Sequence, residues 1–311
     1  MKKNIKILNS LRLFLSYGMY LGFIFLISNC TKSKEIGSIE NPLKFYLLPS
    51  QDMMTLQESG KILKAYLEKE LEMSVVVELP TSYVAVIEAF GSKRADAAIL
   101  NTFGYILANE KFGTVAKLRL VNRGRDEYYG QIIVHKDGPK SIKDLNHKKF
   151  AFVDPASTSG YLLPIRLFKQ EGITIKEHLF AGRHDSVVTA VYQRKVDAGA
   201  TFYAPPDEDG TPKDARWIVR AQYPDVFDKI KILKLTGPIP NDPLVLRKDL
   251  PEELKIKIVE AFRKYIKTEQ GKKVLMDMYH ITDFKEATDK DYDTIRGYLK
   301  DLGKTAQEFI K

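Results

Sequence analysis

The sequence has little cysteine and none of the short motifs that mark common catalytic or metal sites. Cys30 is the only cysteine, so no intrachain disulfide can form. The motifs G-x-S-x-G and G-x-x-x-x-G-K-[ST] are absent, as is a glycine-rich dinucleotide loop. The histidines have no metal-like spacing to one another or to paired carboxylates: His135, His147, His178, His184 and His280. We therefore predict no catalytic residue, no cofactor and no metal.

The sequence also lacks a concentrated basic stripe and, beyond its N-terminal segment, a long apolar run. Lysine and arginine outnumber acidic residues by 49 to 40, but the two signs are interspersed. A nucleic-acid surface needs clustered basic residues, so we predict no nucleic-acid partner. After residue 30 no stretch is long and apolar enough to span a membrane. With 311 residues, of which 44% are hydrophobic and 29% charged, the chain is expected to form two globular domains.

The first 30 residues have the layout of a secretory signal peptide. Four basic residues and no acid precede a nearly unbroken apolar run over 13–27, and Cys30 follows closely. The segment Ile27–Cys30 resembles a bacterial lipobox, although the usual pattern has Leu three residues before the cysteine and Gly or Ala directly before it. We expect removal of residues 1–29, which would lower the formal charge from +9 to +5, lipidation of Cys30 and a flexible tether over 30–40. The alternative is an uncleaved membrane anchor with an incidental cysteine.

Strands and helices alternate twice along the remainder of the chain. The pattern predicts strand–helix pairs over 41–125 and again over 126–246, with a helical end over 247–311. We interpret 41–125 plus 247–311 as lobe 1 and 126–246 as lobe 2, joined by two crossover strands, 128–135 and 244–246, that act as a hinge. The predicted fold class is α/β, with a mostly parallel sheet flanked by helices in each lobe. Ligands bind such folds at the carboxyl ends of the strands and between domains.

Three consecutive hydroxyl residues, Ser157, Thr158 and Ser159, lie between a predicted strand and the helix that follows it. The free N–H groups and the dipole of a helix start form an anion site, which predicts an oxyanion cradle here. Ser and Thr also cap ordinary helix starts, so plain capping is the alternative. Pro164 lies too deep for the first helical position and lacks an N–H group, which predicts an irregular first turn.

Four further side chains are candidates for the cleft, and each has an ordinary structural alternative. Tyr83 starts a predicted helix and is either a phenol donor or a packed aromatic. His184 starts another and either donates to an anion or has a structural role. Asp242 lies between Asn241 and Pro243, where Asp commonly forms a turn. Tyr203 ends a strand and points either into the cleft or into its rim.

Several segments, in this order, resemble the phosphate/phosphite/phosphonate-binding proteins of ABC transporters. The most specific are F-V-D-P-A-S-T-S-G-Y-L-L-P from Phe152 and P-I-P-N-D-P-L-V-L-R-K-D-L-P from Pro238. Y-Y-G-Q-I-I-V from Tyr128, His184-Asp185, and V-I-E-A-F followed by A-D-A-A-I-L within 86–100 also fit. The resemblance covers roughly residues 43 to 285. It implies a type II periplasmic-binding-protein clam that binds a small oxyanion and works with an ABC permease and ATPase.

The resemblance also implies which residues bind the ligand. They are the Ser-Thr-Ser cradle at 157–159, the tyrosine of lobe 1, the helix-start histidine and the acidic residue before the second crossover: Ser157, Thr158, Ser159, Tyr83, His184 and Asp242. With an ordinary pKa, Asp242 is ionised at neutral pH and can only accept a hydrogen bond, which a ligand P–OH group would donate. Sulfate has no such group, so the carboxylate would disfavour it. Leu100 stands where some phosphonate binders have tyrosine, and no glutamate stands near 202–204 to hold an amine. These departures favour a small phosphorus oxyanion without an amine.

The expected protein is thus a monomeric lipoprotein of the cell envelope, held to a membrane by the lipid on Cys30 and facing the periplasm or the exterior. Two other functions stay open. A sensor or surface lipoprotein could have kept the fold and lost transport, and a serine esterase would need one of the serines to meet a histidine in the fold. The acidic, proline-rich loop over 205–214 is expected to be solvated, and its role is open.

Overall fold

The computed structural model of the chain describes residues 35–310, so the predicted signal peptide, Cys30 and part of the tether lie outside the described residues. The elements of the first half are, in chain order, β1 (Leu43–Tyr46), α1 (Met53–Leu71), β2 (Val75–Glu78), α2 (Tyr83–Gly91), β3 (Ala97–Ile99), α3 (Thr102–Phe112) and β4 (Val115–Asn122). Two strands from the end of the chain, β10 (Pro243–Leu246) and β11 (Ile281–Glu286), join these four in a six-stranded sheet. Its strand order is β11-β4-β10-β3-β1-β2. The core of this lobe lies between the sheet and its helices, where Phe45 stacks on Phe262 at 5.4 Å between ring centroids.

The second lobe is built on a five-stranded sheet with the order β7-β6-β8-β5-β9. Its elements are β5 (Glu127–His135), β6 (Lys149–Phe152), α4 (Leu163–Glu171), β7 (Glu177–Phe180), α5 (His184–Tyr192), β8 (Ala198–Tyr203), α6 (Val226–Lys229) and β9 (Ile230–Pro240). Phe150, Phe152 and Phe168 pack together under this sheet and are almost fully buried. The repeat of strand–helix pairs therefore forms the second lobe as the sequence predicted.

The chain ends with β10 (Pro243–Leu246), α7 (Glu252–Tyr265), α8 (Glu269–Tyr279), β11 (Ile281–Glu286) and α9 (Asp293–Leu302). Residues 293–310, here called the C-terminal strap, contact both lobes. The guanidinium of Arg166 in α4 pairs with Asp301 at 2.8 Å. Phe309 lies edge-on against Phe103 of the first lobe and Tyr161 of the second, with ring centroids 5.6 and 6.0 Å away. The end of the chain therefore spans the gap between the two lobes.

Both sheets are mixed, which corrects the expectation of mostly parallel sheets. The pairs β1–β2, β1–β3, β6–β7 and β6–β8 are parallel. Strands β5 and β10 run antiparallel to their neighbours, because each begins where the chain has just crossed from the other lobe. The predicted boundary at residue 246 placed Leu244–Leu246 with lobe 2, whereas this strand pairs with β3 and β4 of the first sheet.

Polar caps start three helices just beyond the ends of neighbouring parallel strands. Asp52, Ser82 and Asn101 accept hydrogen bonds from main-chain N–H groups at 2.7, 3.2 and 2.8 Å. Because β1, β2 and β3 run parallel, these helix N-termini lie along one edge of the sheet. That edge faces the second lobe. Within residues 35–310 no helix has the length and apolar character needed to cross a membrane.

Candidate functional site

A cavity of about 100 Å³ lies between the two lobes. It is small beside the roughly 300–1,000 Å³ of pockets that hold drug-sized ligands. Five of the seven predicted binding residues line it: Tyr83, Ser157, Ser159, His184 and Asp242. The fold therefore brings together residues that lie up to 159 positions apart in the sequence.

The hydroxyl cradle begins where β6 ends. Ser157 has extended backbone angles, and its Oγ accepts a hydrogen bond from the N–H group of Gly160 at 3.1 Å. Residues Thr158–Leu162 form one wide π-helical turn before α4 begins, so the predicted irregular first turn is confirmed. Pro164 cannot donate to the carbonyl of Gly160, and that carbonyl instead accepts from the N–H group of Val153 at 3.2 Å.

The three hydroxyl residues of the cradle have different surroundings. Ser157 and Ser159 line the cavity, whereas Thr158 is fully buried and is not part of its wall. The Oγ1 atom of Thr158 accepts from the N–H group of Phe103, at the start of α3 in the first lobe, at 2.9 Å. The expectation placed all three hydroxyls in one cradle, whereas the wide turn directs Thr158 towards the opposite lobe.

Tyr83 is 1% exposed, and its hydroxyl has no hydrogen-bond partner among the described residues. Its main-chain N–H group donates to Asp154 across the lobe interface at 3.2 Å. Burial raises the pKa of the Tyr83 phenol, and the carboxyl groups of Asp154 and Asp242 raise it further. Tyr83 is therefore a neutral donor that faces the cavity, and no described residue accepts its hydrogen bond.

Asp242 lies opposite Tyr128, whose hydroxyl donates to Oδ1 of Asp242 at 3.5 Å. Burial raises the pKa of Asp242 to about 7, against the lowering effect of hydrogen bonds from the Thr102 main chain and the Tyr128 hydroxyl. The expectation that Asp242 is fully ionised at neutral pH is wrong, because its surroundings are too apolar to stabilise the charge. Near pH 7 both protonation states are populated, so this group both donates and accepts.

His184 begins α5 and is nearly buried. Its Nδ1 atom accepts from the N–H group of Phe202 at 3.3 Å, which places the proton of a neutral ring on Nε2. Burial lowers the pKa of His184 to about 3, so the ring is neutral near pH 7. The ring meets Phe202 edge-on with centroids 5.0 Å apart, which holds the orientation of the Nε2 donor.

Tyr203 does not line the cavity, although the sequence placed it among the candidates. Phe202 and Ala204 line it instead, and the ring of Tyr203 packs against Tyr129 with centroids 6.4 Å apart. Successive side chains of a strand point to opposite faces, so one residue of register decides which of them reaches the cleft. Leu100 is likewise fully buried away from the cavity, and its neighbour Asn101 lines the wall.

Sequence reasoning missed several residues of the cavity wall. The clearest are Tyr128, Tyr279, Asn101, Arg123, Arg125 and Glu127. Asn101 had a detectable signal, since it is a helix cap after a strand like the other candidates. Tyr279 donates to the carbonyl of Leu48 at 2.9 Å, a contact that no local pattern marks. Glu127 corrects the expectation that no glutamate lies near 202–204, because it lines the same cavity as Phe202 and Ala204 from the adjacent strand β5.

Sequence and structure comparisons find similar proteins among the binding components of ABC transporters. A sequence profile of the family described as "ABC transporter, phosphonate, periplasmic substrate-binding protein" matches residues 45–292. The chain is 27% identical to the phosphonates-binding periplasmic protein of Escherichia coli K12 over 246 residues, which cover 76% of this chain and 70% of the relative. Its structure is similar to that of a binding protein component of an ABC phosphonate transporter from Pseudomonas aeruginosa, with a TM-score of 0.73 at 22% identity over 84% and 86% of the two chains. A similar match covers 85% of this chain and 98% of PhnD1 from Prochlorococcus marinus in complex with methylphosphonate, with a TM-score of 0.71 at 22% identity. These similarities confirm the predicted two-lobed fold.

Proposed function

The chain belongs to the family of periplasmic phosphonate-binding proteins of ABC transporters, and from that premise we propose that it captures a small phosphorus oxyanion between its lobes. The ligand is phosphate, phosphite or a phosphonate, and a permease with its ATPase receives it. A phosphonate-binding relative and a neighbour in complex with methylphosphonate support this ligand class. The size of the cavity, about 100 Å³, agrees with so small a ligand.

The observation that carries the proposal is the free phenol of Tyr83. A buried donor without an acceptor costs about 1–3 kcal/mol, and a ligand in the cavity that accepts from Tyr83 would remove this cost. Tyr83 lies in the same cavity wall as Ser157, Ser159 and the neutral donor His184. A tetrahedral oxyanion placed there would accept from all four side chains and from the free N–H groups of the turn.

Asp242 supplies the contact that distinguishes phosphorus oxyanions from sulfate. In its ionised form it accepts a hydrogen bond from a ligand P–OH group, which sulfate lacks. An unpaired carboxylate facing a sulfate oxygen repels it, so the pair of Asp242 and Tyr128 selects for a protonated ligand.

We do not assign an enzymatic activity to the cavity. His184 and two serines share one wall, as a serine esterase would require. However, Nδ1 of His184 is bonded to the N–H group of Phe202 rather than to a carboxylate that would orient a catalytic base. Ser157 Oγ is engaged by Gly160, and no hydrogen bond within the described part of the chain joins either serine to His184.

The site of action follows from the N-terminal sequence. The basic and apolar start before Cys30 supports export and attachment of the mature protein to a membrane by a lipid on that cysteine. The described lobes would then work as a monomer at the membrane surface, close to the permease that takes up the ligand.

Calorimetric titration of the purified protein with phosphate, phosphite and methylphosphonate tests the proposal. We expect at least one to bind, and Tyr83→Phe to weaken that binding by about 1.5–3 kcal/mol, the value of a hydrogen bond to a charged group. Tyr292→Phe is the matched control. The Tyr292 hydroxyl is also buried without a partner among the described residues, but it does not line the cavity.

The two variants separate ligand binding from a general effect on the fold. If Tyr292→Phe weakened binding as much as Tyr83→Phe, the phenol of Tyr83 would have no specific role. If none of the three oxyanions bound, the proposed ligand class would be wrong.

A further inference from the structure

The first crossing between the lobes is a tight turn with an unusual residue in it. The main chains of Asn122 and Arg125 exchange two hydrogen bonds, at 2.9 and 3.0 Å. Between them Arg123 and Gly124 have φ angles of +51° and +75°. Turns with two positive φ angles favour Asn-Gly, since a long side chain in this region costs about 1 kcal/mol. Five other non-glycine residues of the described chain also have positive φ angles, so what distinguishes Arg123 is the cationic side chain that it adds to the cavity wall.

The side chain of Arg123 is mostly buried and is incompletely bonded. It is 18% exposed, and its contact with Asp207 is an ion pair of 3.5 Å. Its Nε atom is buried without a partner among residues 35–310. The Oδ1 atom of the neighbouring Asn122 is also unpaired within that range, and both residues line the same cavity as the hydroxyl cradle. At Asn122 and Arg123 the cavity wall therefore has a second polar end, where a cation paired with Asp207 keeps one N–H group without a partner among these residues.

We propose that the ligand of this cavity carries a second acidic group, a carboxylate close to the phosphorus centre, and that Arg123 binds this carboxylate. The proposal rests on the proposed function, because the phosphoryl group still occupies the Ser157–Ser159 end. A planar guanidinium with a free Nε–H matches a carboxylate better than an ammonium or an alkyl group. The small volume of the cavity, about 100 Å³, favours a short spacer between the two acidic groups.

The other charged groups here have polar partners of their own, whereas the buried Nε–H group of Arg123 has none among residues 35–310. The guanidinium of Arg125 donates to the carbonyls of Pro205 and Pro206 at 2.9 and 3.0 Å, with one bond from each terminal nitrogen, which directs it towards that main chain. Glu127 is exposed and accepts from the hydroxyl of Tyr129 at 3.0 Å. Solvent screens the carboxylate of Glu127 more than the buried guanidinium of Arg123, so an anionic group is favoured at this end.

Calorimetric titration with three phosphonates tests the proposal: phosphonoacetate, ethylphosphonate and 2-aminoethylphosphonate. We expect phosphonoacetate to bind the protein at least tenfold more tightly than ethylphosphonate. Arg123→Gln should reduce affinity for phosphonoacetate at least tenfold more than affinity for ethylphosphonate. Lys213→Gln is the control, because Lys213 also pairs with Asp207, at 3.4 Å, but does not line the cavity. That variant should keep the preference for the carboxylate.

A second variant keeps the test decisive if Arg123→Gln does not fold. Asp207→Asn removes the competing anion from Arg123 and should increase the preference for phosphonoacetate. Equal or tighter binding of ethylphosphonate or 2-aminoethylphosphonate by the unaltered protein would overturn the proposal. So would Arg123→Gln weakening all three ligands equally. If methylphosphonate bound but the carboxylate gave no gain, only the second acidic group would be rejected, whereas failure of every phosphorus oxyanion would reject the proposed function as well.

Discussion

The ionisation of Asp242 links the acidity of the solution to the ligand that the cavity can accept. Its pKa is raised to about 7, so the group is ionised above that pH and protonated below it. A protonated Asp242 donates a hydrogen bond and no longer repels sulfate. We expect sulfate to bind at least tenfold more tightly at pH 5.5 than at pH 8.5, measured by calorimetric titration.

The Asp242→Asn variant is the control for this pH dependence, because an amide stays neutral. In that variant sulfate affinity should be nearly independent of pH across the same interval. The two histidines that line the cavity have pKa values lowered by burial to about 3 and about 4, so His184 and His280 do not titrate there. Unchanged sulfate affinity of the unaltered protein between the two pH values would contradict the role of Asp242.

The same pKa shift has a consequence for folding that needs no ligand. A carboxyl group whose pKa is higher in the folded protein stabilises the fold below its unfolded pKa of about 4. That contribution is lost as the pH rises towards 7, where burial of the charge opposes folding. Asp242→Asn should therefore raise the melting temperature at pH 8.5 relative to the unaltered protein more than it does at pH 4.5.

At the scale of single elements, the π-helical turn after β6 depends on a residue without a side chain. A Cβ atom on Gly160 would lie 2.4 Å from Cγ2 of Val153 and 2.9 Å from Oγ of Ser157. Gly160→Ala should lower the free energy of unfolding by about 1–3 kcal/mol, the usual cost of overpacking. It should also weaken oxyanion binding, because the cap formed by Ser157 must shift. Urea denaturation and calorimetric titration measure the two effects.

Gly297 provides the matched control for this substitution. It lies inside α9, and no atom lies within 4 Å of the position that its Cβ would take. Gly297→Ala should raise the free energy of unfolding by about 0.5–1 kcal/mol, because alanine favours a helix more than glycine does. If the two substitutions had effects of the same sign, the close packing of Gly160 would not be the cause of its sensitivity.

Most helices and strands could be predicted from the sequence, whereas the directions in which their side chains point could not. The alternation of apolar runs indicated the strands, and Pro164 alone predicted the irregular turn. Which hydroxyls face the cavity depended on that turn, so the buried position of Thr158 could not be read from three equivalent residues. The prediction that Tyr203 is a cleft residue did not hold, because the alternation of side chains along β8 places its neighbours in the cleft instead. Arg123 was not predicted, because its segment has the polar, turn-prone composition of an ordinary surface loop.

At the scale of the whole molecule, the structure has its two lobes in direct contact. Hydrogen bonds cross between them at the cavity: Asn101 donates to the carbonyl of Ala156 at 2.9 Å, and the N–H group of His184 donates to the carbonyl of Ser50 at 3.3 Å. The Thr158–Phe103 contact is a third. If the proposed ligand leaves by separation of the lobes, these bonds must break with it. Interactions that join the lobes therefore control how fast a ligand leaves.

The C-terminal strap contributes an interlobe contact near the end of the chain. Its ion pair between Asp301 and Arg166 can be tested directly. Arg166 of the second lobe donates to Asp301 through both Nε and Nη2, at 3.0 and 2.8 Å. Lys169 also donates to the carbonyls of Asp301 and Leu302 at 3.0 Å. Because exposed ion pairs contribute about 0–1 kcal/mol, Arg166→Ala should accelerate ligand dissociation by about two- to fivefold with little change in association.

Stopped-flow dissociation, followed by the fluorescence of the only tryptophan, Trp217, measures this effect. Arg263→Ala is the control, because Arg263 forms a similar exposed pair with Glu286, at 3.0 Å, within the first lobe. Its dissociation rate should match that of the unaltered protein. Equal acceleration by both variants would mean that the loss of any surface ion pair loosens the molecule. An effect confined to Arg166→Ala would mean that the strap holds the two lobes together. It would do so although it follows the first lobe in sequence.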